Sequence, residues 1–264
     1  MPKISIVIPS FNQGRYLEQT LRSIIDQNYP NVEIVVMDGG STDDTLAVIH
    51  RYEGALAAWV SEPDGGQTAA INKGFSLTTG EIMAWINSDD LVAKGALHRV
   101  AEHFLLHAAT DVVYGNRILI DENGLEIGRW LIPYHSERIL KWADFVPQET
   151  LYWRRSAWNA VGQSLDESFR FAMDWDFLLR LTTANMKFDH IPVFLGFFRI
   201  HGEQKTSTQI DSIGGQEMRR LRQRELGRLI SRKELIATVT PFLLISRWLE
   251  ICAVCRKFLG RSSN

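Results

Sequence analysis

Cysteine is scarce in this chain of 264 residues, where Cys252 and Cys255 are the only two and both lie in an apolar stretch near the C-terminus. Two cysteines exclude a disulfide framework and cannot supply a four-ligand zinc site. Their CxxC spacing matches a redox pair, but no thioredoxin-like sequence surrounds them. We therefore expect two reduced thiols on an apolar face.

We expect neither a membrane span nor a signal peptide. Charged residues interrupt the stretch 241–258 and make it a poor membrane span, namely Arg247, Glu250, Arg256 and Lys257. The opening residues, MPKISIVIPS, are strand-like and have neither the charged start nor the small-residue cleavage site of a signal peptide. We expect a cytoplasmic protein.

No single sign of charge dominates the chain, whose net charge is -2. The balance is uneven, because residues 1–218 hold 18 Lys or Arg against 28 Asp or Glu, and residues 219–264 hold 11 against 3. The C-terminal tail is therefore basic, and its apolar residues include Trp248. A basic amphipathic helix suits the anionic inner face of a membrane, where it would meet a lipid-linked acceptor. A dimer helix or a lid packed on the domain is the alternative.

The first half of the chain alternates short apolar runs with helical segments. The runs are KISIVIPS, VEIVVMD, ALAAWVSE and EIMAWINSDD, and the helical segments span residues 16–27, 42–52 and 67–77. This alternation predicts an α/β fold with a parallel sheet covered on both faces, whose ligand binds beyond the carboxyl ends of the strands. Polar, acidic and Gly residues stand at those ends, in residues 10–12, 38–41, 62–66 and 88–90.

After Asp90 the pattern changes. It predicts a helix over residues 95–107, a strand at DVVYGN, a hairpin turning at residues 121–124, a helix at MDWDFLLRLTTA and a strand at PVFLGFFRIH. We interpret this half as a continuation of the same domain.

The order of several segments resembles the family 2 glycosyltransferases, which have the GT-A fold. The segments are SIVIPSFNQGRYLEQTLRSIIDQNYPNVEIVVMDGGSTDDT, EPDGGQTAAINKGF, AWINSDD, AMDWDFLLRL and FRIH, and the resemblance covers about residues 3–206. It implies a Rossmann-like, mostly parallel sheet flanked by helices. The expected divisions are a GT-A domain at 1–210, with a nucleotide-binding half at 1–90 and an acceptor and catalytic half at 91–210, and a helical tail at 211–264.

Two adjacent carboxylates, Asp89 and Asp90, close the fourth apolar run. Sugar transfer from a nucleotide sugar builds negative charge on the departing diphosphate, which calls for Mn²⁺ or Mg²⁺ held by carboxylate, phosphate and water oxygens. Successive strand side chains point to opposite faces, so the two acids have different tasks. The resemblance implies that Asp90 binds the metal, while Asp89 and Ser88 belong to the donor site. The alternative is that both acids cap a helix or a solvated turn.

Two further positions bear on the metal. The commoner form of the motif has an Asp where Asn87 stands, and an amide can bond a ribose hydroxyl but brings no charge, so lower metal affinity is expected. His201 stands where the family often has a histidine, which could complete the metal site or donate to a phosphate. Arg199 and Lys205 flank it and could clamp the diphosphate, or be plain surface charges.

Asp38, before Gly39 and Gly40, can accept a hydrogen bond from the imide N–H of uracil or thymine, which favours UDP. The same loop predicts helix capping by Ser41 or Thr42, with acids in the first turn. By resemblance, Pro9, Ser10 and Phe11 line the nucleotide pocket, although Phe11 could equally be a core residue. Asp64 is expected near the nucleotide, with Gln67, Asn72 and Lys73 on the next helix, where Lys73 could contact phosphate or base.

The resemblance also implies a general base, and MDWD offers Asp174 and Asp176, which lie about 200° apart on a helix so that only one faces the site. The residue matching the family's base is Asp174, with Met173 in place of a neighbouring Glu, and Asp176 would cap or orient the helix. Gln148 and Glu149 are expected near the acceptor. Trp153 and Trp175 could stack on sugars, although large aromatics are more often core.

These observations predict an inverting, metal-dependent glycosyltransferase of the hexosyltransferase type. Its donor would be a nucleoside-diphosphate sugar and its acceptor a saccharide or lipid-linked molecule of bacterial surface polysaccharide synthesis, with no nucleic-acid partner and a possible homodimer. The substitutions at Asn87 and Met173 keep open the alternative of a catalytically weak donor-binding protein or a scaffolding protein. A nucleotidyltransferase is disfavoured because PSFNQG is poor in glycine, and a dehydrogenase because no GxGxxG follows a strand.

Overall fold

The computed structural model describes residues 1–259, and for residues 245–247 and 249–259 it describes the helical backbone alone. The expectations about Cys252 and Cys255, and about the charges that interrupt the last apolar stretch, therefore lie outside the described side chains. The strands are β1 (Ile4–Ser10), β2 (Val32–Asp38), β3 (Ala58–Ser61), β4 (Ile82–Trp85), β5 (Leu91–Val92), β6 (Val112–Ile120), β7 (Glu126–Trp130), β8 (Tyr152–Arg154) and β9 (Phe188–Arg199).

Within residues 1–259 these strands form one nine-stranded sheet, in the order β3-β2-β1-β4-β8-β6-β9-β5, with β7 paired to β6. The helices are α1 (Gly14–Ile25), α2 (Thr45–Tyr52), α3 (Gln67–Ser76), α4 (Ala96–Leu106), α5 (Glu137–Leu140), α6 (Arg155–Ala160), α7 (Met173–Thr183), α8 (Lys205–Gln209), α9 (Gly215–Leu226) and α10 (Arg232–Leu259).

The first half of the sheet, β3-β2-β1-β4, is parallel, and its inner strands β2, β1 and β4 are buried on both faces whereas the edge strand β3 is half-buried. Side chains alternate along β1, so Ile6 and Ile8 pack with α1 and α4 on one face, while Val7 packs with α3 and α7 on the other. This double burial explains why the strands are almost continuously apolar. The expected α/β fold, a Rossmann-like sheet flanked by helices, is confirmed.

The second half of the sheet mixes strand directions. Strand β8 runs antiparallel to both β4 and β6, whereas the long β9 pairs in parallel with β6 and antiparallel with the short β5. The predicted hairpin is confirmed, since β6 and β7 pair antiparallel and Gly124 turns with φ +86°. Because β5 follows Asp90 directly, its pairing with β9 brings residues 199–201 beside the acids at the end of β4.

The two tryptophans that we considered as stacking surfaces for a sugar, Trp153 and Trp175, belong to the core. Trp153 is completely buried and packs against Trp85 and Phe177, and Trp175 is 1% exposed. A ring without accessible surface cannot stack on a sugar, so the stacking hypothesis is wrong for Trp153 and for Trp175. The indole N–H of Trp175 instead donates to the carbonyl of Leu140.

The basic tail begins as a packed part of the domain. Leu221 of α9 is fully buried, and Glu217 accepts hydrogen bonds from the backbone N–H groups of Arg170, Phe171 and Ala172, just before α7. The last helix, α10, contains Pro241 in its interior. Among the residues that the structure describes, no helix is both long and apolar enough to cross a membrane.

Two histidines are held neutral next to the β6–β7 hairpin. The ring of His135 stacks on Phe188 at 4.1 Å, and neither of its nitrogens has a hydrogen-bond partner among the described residues. His190 contacts Asn116 through Nε2 at 3.1 Å. Burial lowers the pKa of each imidazole to about 4, and for His135 the nearby Glu137 opposes this shift only in part.

The protein is therefore expected to lose stability in mild acid. In the unfolded chain these two histidines bind protons with pKa values near 6.5, whereas in the folded protein they bind protons only near pH 4. Their contribution to the free energy of unfolding is therefore fully present above about pH 6.5 and is lost as the pH falls from about 6.5 to about 4. Between pH 7 and pH 5 the free energy of unfolding should fall by on the order of 1 kcal/mol less in His135→Phe than in the wild type, a figure that allows for partial exposure of the ring.

Urea denaturation at the two pH values measures this difference. His50→Gln is the control, because His50 is an exposed histidine. An unchanged pH dependence in His135→Phe would contradict the account.

Candidate active site

The carboxyl ends of β1, β2, β3 and β4 meet at one rim, as predicted. Ser10 is the register partner of Asp38, and Asp38 is the partner of Ser61. The hydroxyl oxygen of Ser10 is buried and has no hydrogen-bond partner among the residues described. An unsatisfied buried hydroxyl is uncommon and marks a place where a ligand atom could bond. Pro9 lies buried beside it in β1.

Asp38 is 3% exposed and is held by its own loop. Its Oδ2 accepts hydrogen bonds from the Ser41 N–H at 3.0 Å and the Ser61 hydroxyl at 2.6 Å, and its Oδ1 accepts from the Ser41 hydroxyl. The expected capping by Ser41 or Thr42 is wrong, because α2 begins at Thr45. The carboxylate of Asp43 accepts from the Thr45 N–H instead. Contact between Asp38 and a base stays a prediction.

Phe11 and Asp64 form an open surface at this rim. Phe11 is 61% exposed, so the alternative that it is a core residue is wrong. A Cβ placed on Gly39 would lie 3.3 Å from the Phe11 ring and 3.1 Å from an Asp64 oxygen, so the glycine lets these side chains approach the backbone. Lys73, in contrast, forms an exposed ion pair with Glu62. That pair leaves its predicted phosphate contact without support from the geometry.

Asp89 and Asp90 are fixed by the segment that follows β9. Asp90 is 1% exposed, and its Oδ1 accepts the backbone N–H of Arg199 at 3.0 Å. Asp89 Oδ2 lies 2.9 Å from Nε2 of His201. The alternative that this pair caps a helix or a solvated turn is wrong, because Asp90 is buried and a strand, β5, follows it. Ser88 is also buried, and its carbonyl accepts from the Thr20 hydroxyl.

Arg199 does not fit the role of a diphosphate clamp, nor that of a surface charge. Its residue is 1% exposed, and its guanidinium donates to the carbonyls of Asp89, Asp121 and Glu122 and to the side chain of Gln19. The guanidinium also lies 4.8 Å from the centre of the Tyr16 ring. With its donors used in this way, Arg199 joins residues 87–90, which we call the acidic turn, to α1 and to the hairpin.

The acids at the end of β4 fit a divalent cation only together with oxygens from a ligand. Within the described part of the chain, no group of three or more His, Cys, Asp or Glu side chains is placed to hold a metal by itself. Burial raises the pKa of Asp90 well above its usual range, and the negative charges of Asp89 and Glu149 raise it further. A cation would offset this excess of negative charge, and phosphate and water would complete its oxygen ligands.

Asn87 is the centre of a chain of amide hydrogen bonds. Its Nδ2 donates to Asp90 Oδ2 and to Gln148 Oε1, each at 3.2 Å, and its Oδ1 accepts from Gln67 at 2.7 Å. Gln67 in turn accepts from the ammonium of Lys205 at 2.7 Å. The substitution that looked like a loss of charge thus links the acidic turn to α3 and to α8. Burial lowers the pKa of Lys205, whose ammonium also donates to the carbonyl of Arg170.

A buried ion pair missed by the sequence analysis lies next to these acids. Arg117 on β6 donates to both carboxylate oxygens of Glu149, at 2.8 and 2.5 Å, and stacks 4.5 Å from the centre of the Phe198 ring. Glu149 is 1% exposed, so it is committed to Arg117 rather than to an acceptor. No local pattern in the sequence signals Arg117, because its partners come from distant segments.

Asp174, the candidate base, lies half-buried in the first turn of α7. Burial raises the pKa of its carboxyl to about 6, although the charge of Arg117 lowers it in part. Asp144, a residue that the sequence analysis did not identify, lies nearby and is exposed. Desolvation and the charge of Asp174 raise its pKa well above the usual range. These two carboxyls, whose surroundings we call the cleft, therefore protonate more readily than ordinary ones.

Asp176 has different surroundings, as the helical spacing predicts. It is fully buried and forms ion pairs with Arg180 at 2.8 Å and with Arg224 of α9 at 2.5 Å. These contacts orient α7 and join it to the tail. Asp174 is thus the acid of MDWD that remains available to the cleft.

Comparison with known proteins gives this geometry a context. The profile of Glycosyl transferase family 2 matches residues 5–200. A PGL/p-HBAD biosynthesis glycosyltransferase of Mycobacterium bovis is 31% identical over 183 residues, which cover 68% of this chain and 69% of that protein. An uncharacterized glycosyltransferase of Nostoc sp. is 27% identical over 228 residues, which cover 81% of this chain and 70% of the other.

Solved structures show the same fold at lower sequence identity. TarS 1-349 of S. aureus, in complex with UDP-GlcNAc, superposes with a TM-score of 0.69 at 21% identity and covers 91% of this chain and 71% of its own. A mannosyltransferase from Pyrobaculum calidifontis, in complex with GDP-Man and Mn²⁺, gives 0.66 at 18% identity and covers 100% and 76%. Both neighbours were solved with a nucleotide sugar.

The Arg117–Glu149 pair yields a stability prediction. Arg117→Met should lower the free energy of unfolding by about 3–5 kcal/mol, because it leaves Glu149 buried without a counter-charge. Adding Glu149→Gln should restore much of the loss, since the uncompensated charge is then gone. Urea denaturation of the wild type, both single variants and the double variant measures the coupling.

Arg129→Met is the matched control, because Arg129 forms an exposed ion pair with Glu126. It should cost far less than Arg117→Met. Equal losses in the two arginine variants would show that the burial of the Arg117 pair does not matter.

Proposed function

This chain belongs to glycosyl transferase family 2 and is a glycosyltransferase with a nucleotide-sugar donor. From that premise we propose that it transfers the sugar with inversion of configuration and with the help of a metal ion. UDP is the nucleotide that we favour. The arrangement at the end of β4 is the observation that carries the proposal. Asp89 and Asp90 are fixed there by the segment after β9, next to an open nucleotide rim and to the cleft of Asp174.

Donor binding is assigned to the rim of the parallel strands. Asp38 would accept the imide N–H of uracil, the exposed Phe11 ring would cover the base, and Asp64 would bond the nucleotide from the opposite side of Gly39. Asp89, oriented by His201, would bond the ribose or the donor sugar. TarS has been solved with UDP-GlcNAc and the archaeal mannosyltransferase with GDP-Man, which fits a nucleoside-diphosphate sugar.

Stabilisation of the negative charge on the departing diphosphate is assigned to the acidic turn and to Lys205. Mn²⁺ or Mg²⁺ held by Asp90 would stabilise the negative charge of the departing diphosphate. His201 is placed to orient Asp89 rather than to serve as a direct metal ligand, since its Nε2 is 2.9 Å from that carboxylate. Lys205 would add a positive charge from α8 and is held for this purpose by Gln67.

Proton transfer is assigned to Asp174. Its carboxylate would take the proton of the acceptor hydroxyl as that oxygen attacks the anomeric carbon from the face opposite the diphosphate, which inverts the configuration. A pKa of about 6 keeps Asp174 mostly ionised at neutral pH yet basic enough to accept a proton. We propose a saccharide or lipid-linked acceptor of bacterial surface polysaccharide synthesis, reached at the inner face of the membrane.

Nucleotide titration tests the donor site and the metal. We expect one of UDP, dTDP and GDP to bind with Mn²⁺ and far more weakly without it, and Asp90→Asn to lose the metal-dependent part of the affinity. Calorimetric titration of each nucleotide measures this. Asp26→Asn, a change to an exposed acid on the far end of α1, serves as control. If no nucleotide binds, a scaffolding role replaces catalysis; if Asp90→Asn binds like the wild type, the metal site is wrong.

Asp174→Asn tests the base. It should lower kcat by roughly 10²–10⁴-fold while leaving nucleotide affinity unchanged, because the amide cannot accept the proton. In the wild type, kcat should fall as pH drops through about 6, where Asp174 becomes protonated.

Asp176→Asn separates chemistry from architecture, since it removes a charge two residues away that α7 and α9 use for packing. We expect it to lower stability more than kcat. A kcat that survives in Asp174→Asn would assign the base elsewhere in the cleft.

A further inference from the structure

An arginine-rich pocket lies where the tail turns between α9 and α10. Its volume is about 180 Å³, and its walls include Arg219, Arg222, Arg228 and Arg232 together with the apolar Leu229 and Leu235. Among the described residues that line it, none is acidic. Such a concentration of guanidinium groups is costly unless an anion is present to balance it.

The charges of this pocket are only partly compensated within the described chain. Arg228 pairs with Glu234 at 2.8 Å, and that carboxylate is also bonded by Ser231. Arg219 and Arg222 have no carboxylate partner among the described residues, and they lie close enough that Arg219 adds to the lowering that burial imposes on the pKa of Arg222. Adjacent guanidinium groups of this kind provide the forked donors that phosphate oxygens accept.

The pocket also lies against the start of α7, the helix that carries Asp174. Nε of Arg222 donates to the carbonyl of Trp142 at 2.7 Å, and its guanidinium lies 5.2 Å from the centre of the Trp175 ring. Trp175 follows Asp174 directly, and Trp142 is two residues from Asp144. A molecule whose charged group occupies the pocket is therefore held beside the helix that carries the proposed base.

Exposed apolar side chains continue from the pocket along α10. Leu229 is 69% exposed, and Ile236, Leu244 and Trp248 are 50%, 61% and 65% exposed. Water-exposed residues of this size beside a phosphate-sized basic pocket match an amphiphile, with a phosphate at one end and hydrocarbon at the other.

We propose that the pocket between α9 and α10 binds the phosphate of a lipid-linked acceptor, with the arginines on the phosphate and the apolar residues of α10 on the lipid. This inference rests on the proposed glycosyltransferase reaction and names the substrate class of its acceptor side. The phosphate is thereby held on the tail while the sugar hydroxyl of the same molecule reaches Asp174.

Calorimetric titration with farnesyl phosphate and with inorganic phosphate tests the pocket. Arg219→Gln should bind farnesyl phosphate about tenfold more weakly than the wild type, because a charge-assisted hydrogen bond is lost. Arg232→Gln is the second variant. Lys233→Gln, which makes the same charge change beside the pocket, and Asp90→Asn, which alters the donor site, should both bind like the wild type.

Each outcome separates the possible sources of the phosphate. Tighter binding of farnesyl phosphate than of inorganic phosphate supports a lipid-linked ligand, whereas equal affinities point to a free-anion site and overturn the lipid assignment. Unchanged binding in both arginine variants, or a loss in Asp90→Asn, overturns the pocket. Binding only to phosphatidylglycerol vesicles overturns the acceptor in favour of the membrane surface. UDP titration of the same samples reports separately on the donor site.

Discussion

The ion pair of Arg117 and Glu149 is the constraint on which the cleft depends. Asp90, Asp144 and Asp174 all lie close enough to Arg117 for its charge to act on them, and desolvation raises the pKa of each carboxyl. The guanidinium of Arg117 supplies the positive charge that opposes this tendency for each of them. Glu149 holds that guanidinium in a fixed position, and its own negative charge raises the pKa of the same three acids.

Much of the nucleotide side of the site could be predicted from sequence, because its determinants are local. The apolar runs that become β1, β2 and β4 end at polar residues, and parallel strands bring those ends together whatever the rest of the chain does. Asp38, Asp64, Asp89 and Asp90 therefore reach one rim. The hairpin after β6 was equally predictable, since its turn residues are contiguous.

The acceptor side could not be predicted in the same way. Arg117, Glu149 and Asp144 meet because β6 lies between β8 and β9 in a sheet of mixed direction, and no local periodicity encodes that order. The burial of single side chains could not be predicted from the sequence either, and two roles were assigned wrongly for that reason. Arg199 and Trp175 have side chains suited to phosphate or sugar, but tertiary packing commits the first to backbone carbonyls and the second to the core.

The contact between Glu217 of the tail and the residues before α7 constrains how the tail can change in evolution. Its carboxylate receives the backbone N–H groups immediately before α7, so a residue beyond the family-like region completes the start of the helix that carries Asp174. Recombination between relatives that exchanged everything after β9 would separate these partners. The tail and the helix that carries Asp174 are therefore expected to be inherited as one block, even though they are far apart along the chain.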